Sequence, residues 1–162
     1  MSICLPKIIG HRGLRSIAPE NTIPSIKAAL SYKISWVEID VKLSKDNIPF
    51  LLHDDLLDRT TSGRGYPFYY TFNEIKKLNA GSWFNKKNVL ISVPSLEEVI
   101  NYCCKNNLGI NIELKPNIGR EKQNVESIVK LFQKINVDIQ HYFSSFDLYS
   151  LILIKEKIPE AF

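Results

Sequence analysis

Between Trp36 and Asp54 the chain reads WVEIDVKLSKDNIPFLLHD, and no other stretch restricts the fold as much. Two apolar runs, rich in Val, Ile, Phe and Leu, flank the polar turn Ser44-Lys45-Asp46-Asn47. Each run has the length and composition of a strand. Side chains alternate across a strand, so Trp36, Glu38 and Asp40 share one face while Val37, Ile39 and Val41 share the other. The apolar residues flanking the two carboxylates indicate a strand covered on both faces. Buried carboxylates are costly unless paired or bound to a metal, so a cationic group is expected opposite Glu38 and Asp40.

The rest of the chain supplies partners for that strand. Residues 7–10 form a short apolar run that stops at His11-Arg12-Gly13. After the loop Ala18-Pro19-Glu20-Asn21-Thr22, Asn21 or Thr22 can cap a helix whose apolar face is Ile23, Ile26 and Leu30. Residues 55–94 interrupt the pattern with a turn-rich loop, Arg59 to Gly65, and a capping box at Thr71 and Glu74. A connection of that length predicts a lid-like inserted subdomain. Within it Gly63, Gly65 and Gly81 allow tight turns, and Trp83 with Phe84 supply an apolar wall over the site. Ser95 and Glu98 open a helix with Leu96, Val99, Ile100 and Cys103 on one face. Residues 108–114 read as another strand, with Asn111, Glu113 and Lys115 on one face and Ile110, Ile112 and Leu114 on the other. A helix through Val125, Ile128, Val129 and Phe132 follows, then a strand over 137–143 ending at Ser144-Ser145-Phe146, and a helix over 148–158.

Strands therefore fall near residues 7, 36, 48, 109 and 138, alternating with helices, which predicts a parallel α/β sheet. His11, Glu38, Asp40, His53, Glu113, Lys115 and Ser144 collect toward the C-terminal ends of these strands. A (β/α) barrel carries its site at that rim. A doubly wound open sheet also does so, but no G-x-G-x-x-G follows the first strand.

Composition excludes several classes. A length of 162 residues suits one domain, and a net charge of +4 admits anionic substrates but is too small to indicate nucleic acid. Cys4, Cys103 and Cys104 are odd in number and two are adjacent, so they make no disulfide framework and have no zinc spacing. Reduced thiols, together with a start that lacks a signal-peptide pattern, predict a cytoplasmic protein. The late apolar run over 148–154 is far too short to span a bilayer.

Three carboxylates from two strands suit a hard divalent cation, Ca²⁺ or Mg²⁺, better than zinc. His11 and His53 suit acid and base work near neutral pH. Arg12 and Lys115 can hold an anionic group. Together these residues suit phosphoryl transfer or phosphodiester hydrolysis. Each has a plainer explanation alone: a strand-end histidine is more often structural, Glu113 with Lys115 can be a simple ion pair, and Arg59 and Arg64 read as loop charges. Unrelated structural causes would scatter these residues, not gather them at matched strand ends.

The chain resembles the glycerophosphodiester phosphodiesterases. The matching pieces are His11-Arg12-Gly13, Pro19-Glu20-Asn21-Thr22, Glu38-Ile39-Asp40-Val41 with Lys45-Asp46, and His53-Asp54. Asp58-Arg59-Thr60-Thr61-Ser62-Gly63, Ala80-Gly81-Ser82-Trp83-Phe84, Pro94 to Glu98, Asn111 to Pro116 and Ser144-Ser145-Phe146 follow in the family's order. The resemblance implies a TIM-type (β/α) barrel that releases an alcohol from a small glycerophosphodiester and leaves glycerol 3-phosphate, in lipid and glycerol metabolism. By position, Glu38, Asp40 and Glu113 would be ligands of Ca²⁺ or Mg²⁺, His11 and His53 the acid/base pair, and Arg12 and Lys115 the phosphate contacts. Glu20, Asn21 and Asp54 would support them, with Glu20 a close ligand or a residue that orients the site. One histidine would activate the glycerol 2-hydroxyl or a water, and the other would protonate the leaving alcohol. Residues 55–94 would be the family's inserted subdomain beside the glycerol.

A full barrel of this kind takes roughly 250 residues. About five of its eight strands are expected here, with the last three strand–helix units of the resemblance absent. On that count the 162-residue chain alone is expected to be a poor catalyst, with open edges that favour self-association. Two other readings stand beside hydrolysis of glycerophosphodiesters: a non-catalytic remnant or phosphodiester-binding module, and a related barrel phospholipase.

Overall fold

A computed structural model of the chain describes residues 5–84, 89–159 and 161. The order of elements is α1 (Ile23–Ser31), β1 (Trp36–Leu43), β2 (Pro49–Leu51), α2 (Phe72–Lys76), α3 (Leu96–Lys105), β3 (Gly109–Leu114), α4 (Glu121–Lys134), β4 (His141–Ser144) and α5 (Leu148–Lys157). Four strands form one sheet in the order β2-β1-β3-β4. β1 pairs parallel with β3, and β3 parallel with β4.

Three of the five expected strands differ. Residues 7–10 contribute only an isolated parallel bridge, Gly10 to Val37. The apolar run after Ser44 does form a strand, β2, but it runs antiparallel to β1, with Val41 opposite Leu51. The cause is the connection: a parallel neighbour needs a crossover of a dozen or more residues, and the short turn here only folds back. Asn47 takes the left-handed conformation in that turn, at φ 59. Ser44 Oγ donates to Asp46 Oδ1 at 2.6 Å and locks it. The strand expected over 137–143 is shorter, His141–Ser144.

The two faces of the sheet separate as alternation predicts. Val37, Ile39 and Val41 of β1 join Ile110, Ile112 and Leu114 of β3 in one buried core with Ile26, Leu96, Val99, Ile128 and Leu153 of the helices. Burying each such side chain stabilises by about 1.5–3 kcal/mol, so this layer sets the register of the sheet. Glu38, Asp40 and Lys42 occupy the opposite face of β1, and all are buried. Lower on that face, Trp36 lies over Gly109, where a Cβ would come within 2.3 Å of the ring. The helices start where the capping boxes predict, with Thr22, Thr71 and Ser95 as N-caps.

A second, smaller apolar cluster holds Phe50, Leu52, Leu57, Ile75, Ala80 and Val93. Leu57, Ile75, Ala80 and Val93 thus pack against Phe50 of β2 and Leu52 just after it. Cys103 and Cys104 are free thiols, and burial pushes Cys103 up to about 12. Cys4 lies outside the described residues. Among the described residues no helix is long and apolar enough to cross a membrane.

Candidate metal and acid/base site

The site begins with a backbone device. Arg12, Gly13 and Asn21 all have positive φ, at 54, 77 and 56. This turns the segment after Gly10 so that the Arg12 amide donates to Glu38 Oε2 at 2.8 Å. The Asn21 amide (3.0 Å) and Ser25 Oγ (2.9 Å) both donate to the Arg12 carbonyl. Gly13 packs so closely on α1 that a Cβ would sit 2.3 Å from Ser25 Oγ. Gly13→Ala is therefore expected to destabilise the fold by about 3 kcal/mol, combining left-handed strain with overpacking. Urea unfolding checks this; a loss below about 0.5 kcal/mol would contradict the close packing.

Parallel pairing places Asp40 opposite Glu113 and Glu38 opposite Asn111. The three carboxylates therefore meet: one oxygen each from Glu38, Asp40 and Glu113 lies within 4.8 Å of the others. Glu38 Oε2 is held by the Arg12 amide, and Asp40 Oδ2 accepts from Asn21 Nδ2 at 2.8 Å. Their other oxygens, Glu38 Oε1 and Asp40 Oδ1, are buried without a hydrogen-bond donor, as is Glu113 Oε1. Lys115 Nζ approaches Glu113 Oε1 at 3.1 Å and Asp40 Oδ1 at 3.7 Å, but out of hydrogen-bonding alignment. Each unmet buried acceptor costs on the order of 1–3 kcal/mol or more. A cluster of three carboxylates, each with one buried oxygen that lacks a hydrogen-bond donor, fits a hard divalent cation. Burial, reinforced by the charge of Asp40, pushes Glu38 up to about 7.

The histidines flank this space. His11 Nε2 lies 3.7 Å from Glu38 Oε2 on an open side. Burial lowers its pKa, and Arg12 and Arg15 lower it further, which favours the neutral ring. On the other side His53 Nδ1 is 2.7 Å from Asp54 Oδ1, and Nε2 is 3.0 Å from Lys115 Nζ. An ammonium only donates, so this network assigns the ring proton to Nδ1 and leaves Nε2 as acceptor. Lys115 and His53 line an open cleft of about 510 Å³, with Lys42, Asp55 and Phe146.

All ten residues singled out by sequence lie in this one network. Arg12 NH1 donates to Glu20 Oε1 at 2.8 Å, and its Nε is 3.3 Å from Asp40 Oδ2. Both Glu20 oxygens are taken by guanidinium groups, which favours an orienting role over direct ligation. Burial acts to raise Glu20, but the hydrogen bonds from Arg59 and Arg12 outweigh it and hold the carboxyl below the usual range.

Two residues here escape sequence reasoning. Arg59 is no mere loop charge: it donates to both oxygens of Asp54, at 2.6 and 2.8 Å, and to both of Glu20, at 3.1 and 2.7 Å. These bonds hold Asp54 well below the ordinary carboxylate range. Only the family-like run around Arg59 signals it. Lys42 is the other. Alternation from Glu38 and Asp40 places it on the same face, and its ammonium is buried beneath the cleft.

The sequence profile of the Glycerophosphoryl diester phosphodiesterase family matches residues 11–161. A glycerophosphodiester phosphodiesterase of Caldanaerobacter subterraneus is 36% identical over 152 residues, covering 94% of this chain and 63% of that protein. A phosphodiesterase of Oleispira antarctica, solved in complex with the product sn-glycerol-3-phosphate, is 40% identical, with a TM-score of 0.92 over 97% of this chain and 64% of that one. A glycerophosphodiester phosphodiesterase from Agrobacterium tumefaciens is 30% identical, with a TM-score of 0.84 over 97% of this chain and 65% of that one. The 162 residues thus span just under two thirds of each of these relatives. The expected fold class is borne out: among the described residues, four strands and five α-helices form part of a (β/α) barrel.

Proposed function

The chain belongs to the glycerophosphoryl diester phosphodiesterase family, and on that footing we propose that its site hydrolyses small glycerophosphodiesters to glycerol 3-phosphate and an alcohol with the help of Ca²⁺ or Mg²⁺. One observation carries the proposal. The carboxylates of Glu38, Asp40 and Glu113 converge between His11 and Lys115-bound His53, and each keeps one buried oxygen without a hydrogen-bond donor. The product named with the Oleispira antarctica phosphodiesterase supports the direction of cleavage.

His11, neutral and open to the cleft side, takes the proton of the attacking group, a water or the glycerol 2-hydroxyl. Lys115 and Arg12 draw the phosphate oxygens and offset the charge that builds there. As the bond from phosphorus to the leaving oxygen breaks, His53, having first taken a proton from water at Nε2 in place of the Lys115 contact, passes that proton to the leaving oxygen, while Asp54 keeps Nδ1 fixed. Attack by the 2-hydroxyl would give a cyclic phosphodiester that water then opens; attack by water gives glycerol 3-phosphate directly. A divalent cation on the three carboxylates would supply Lewis-acid stabilisation at the phosphoryl oxygens. We place residues 55–94 beside this site as a lid, because Asp55 and Arg59 at its start already touch Lys42, Asp54 and Glu20. Free Cys103 and Cys104 suit the reducing cytoplasm.

β4 pairs with β3 alone among the described residues, and Phe146, Leu148 and Tyr149 beside it are exposed. We propose self-association of the 162-residue chain through this face, which a mass measurement in solution checks. The activity is tested by following glycerophosphocholine by ³¹P NMR with Ca²⁺ or Mg²⁺, and with a chelator. The expected product is glycerol 3-phosphate, formed only with metal. Phosphocholine as product would overturn the direction of cleavage. Binding of glycerol 3-phosphate without turnover would mark a binding module instead.

Metal binding carries its own pH dependence. Cation ligation requires Glu38 to lose its proton, and its pKa stands at about 7 in the metal-free site. Affinity should therefore weaken roughly tenfold per pH unit below 7 and level off above about 8. Calorimetry at three pH values checks this; an affinity independent of pH would rule out Glu38 as a ligand.

A further inference from the structure

Lys42 is among the largest fully buried side chains of the chain, at 1% exposure, although it carries a charge. A buried ammonium is tolerated only when its donors are used. Lys42 Nζ donates to Asp55 Oδ1 at 2.8 Å and to the main-chain carbonyl of Lys115 at 3.1 Å. Asn117 Nδ2 stands 3.5 Å from the same Asp55 oxygen. These partners belong to two separate loops. Asp55 lies two residues after His53 on the segment that leaves β2, and Lys115 follows the end of β3. The same loops present His53 Nε2 and Lys115 Nζ to each other at 3.0 Å.

We propose that Lys42 is a positioning residue: its ammonium clamps the loop after β2 to the loop after β3, and so fixes His53 against Lys115. The proposal rests on the reading of His53 as the acid and Lys115 as a phosphate contact. A Met of similar length would fill the same volume without the desolvation cost of a charge, but it could hold neither loop. Main-chain bonds hold the start of each loop to β1, from the Leu52 amide to the Asp40 carbonyl at 3.1 Å and from the Lys115 amide to the Val41 carbonyl at 3.0 Å, and the Lys42 ammonium adds the tie that reaches Asp55, beyond His53. Loosening that tie by about 1 Å would be enough to lower the rate on the order of 100-fold.

The test reads His53 itself, not turnover. In the ¹⁵N-labelled, metal-free chain the Nε2 signal of His53 should be that of a hydrogen-bond acceptor, with the proton on Nδ1. In Lys42→Met it should move toward the position of a free imidazole nitrogen, while the amide spectrum of the helical layer stays unchanged. Lys42→Arg, which restores a cation and donors, should recover part of the shift. Asp55→Ala cuts the same clamp from an exposed position and decides the matter if Lys42→Met does not fold; the same movement is expected. An unmoved Nε2 signal in a folded Lys42→Met, or in Asp55→Ala in its place, overturns the proposal. A chain that hydrolyses nothing counts against the proposed function, and leaves this result readable.

Discussion

Replacing His11 or His53 with Ala is expected to lower kcat by roughly 10²- to 10⁴-fold, with metal affinity nearly unchanged. The reason lies in where each ring stands. His11 is half exposed and touches the carboxylate cluster only at 3.7 Å, so removing it disturbs little packing. What disappears is a neutral imidazole able to accept a proton. His53 bridges Asp54 and Lys115 at 2.7 and 3.0 Å, so its loss removes the nitrogen that faces the cleft and also frees the Lys115 ammonium. His53→Ala is therefore expected to raise KM for the phosphodiester more than His11→Ala does. Steady-state kinetics in a polypeptide that turns over, at saturating metal, measure both. Near-wild-type kcat in both variants would remove the acid/base assignment.

The second large effect concerns Asp40. Its Oδ2 accepts from Asn21 Nδ2, its amide donates to Asn21 Oδ1 at 3.1 Å, and its Oδ1 lacks a hydrogen-bond donor, with Lys115 Nζ 3.7 Å away. Asp40→Asn keeps the shape and removes the charge. The expected result is a loss of divalent-cation affinity on the order of 100-fold, about 2.8 kcal/mol. Activity should vanish at low metal and return in part at high Ca²⁺ or Mg²⁺. A second sign follows from the same charge. Asp40 is the second cause that raises Glu38, after burial, so its removal should lower the Glu38 pKa. Titration of the Glu38 carboxyl by NMR reads that shift. Unchanged metal affinity in Asp40→Asn would contradict ligation at this cluster.

Much of this site is legible in the sequence because strand alternation is a local rule. Glu38 and Asp40 must share a face, and the register that sets Asp40 against Glu113 follows from two apolar faces meeting one helical layer. The capping boxes at Thr71 and Ser95 are equally local, and helices begin there. The failures have physical causes. Residues 7–10 have strand composition, but only Gly10 pairs with β1, because positive φ at Arg12 and Gly13 turns the chain toward Glu38. β2 runs antiparallel because its turn is too short for a crossover. Arg59 lies 39 residues from Glu20, and a guanidinium can serve solvent or carboxylates alike, so no periodicity reveals that pairing. Lys42 is the opposite case. Alternation places it on the carboxylate face, and only its long side chain disguises it as a surface residue.

One cation is expected on Glu38, Asp40 and Glu113, between His11 and His53. Mn²⁺ tests this directly, because its unpaired electrons broaden nearby nuclei. The chain has three histidines, His11, His53 and His141. His141 pairs with Ile110, three residues before Glu113 along β3, or roughly 10 Å down the sheet. Substoichiometric Mn²⁺ should erase the ring signals of His11 and His53 first and spare His141, and excess Ca²⁺ or Mg²⁺ should restore them. Equal broadening of all three rings, or loss of His141 before the other two, would place the cation elsewhere and contradict the account.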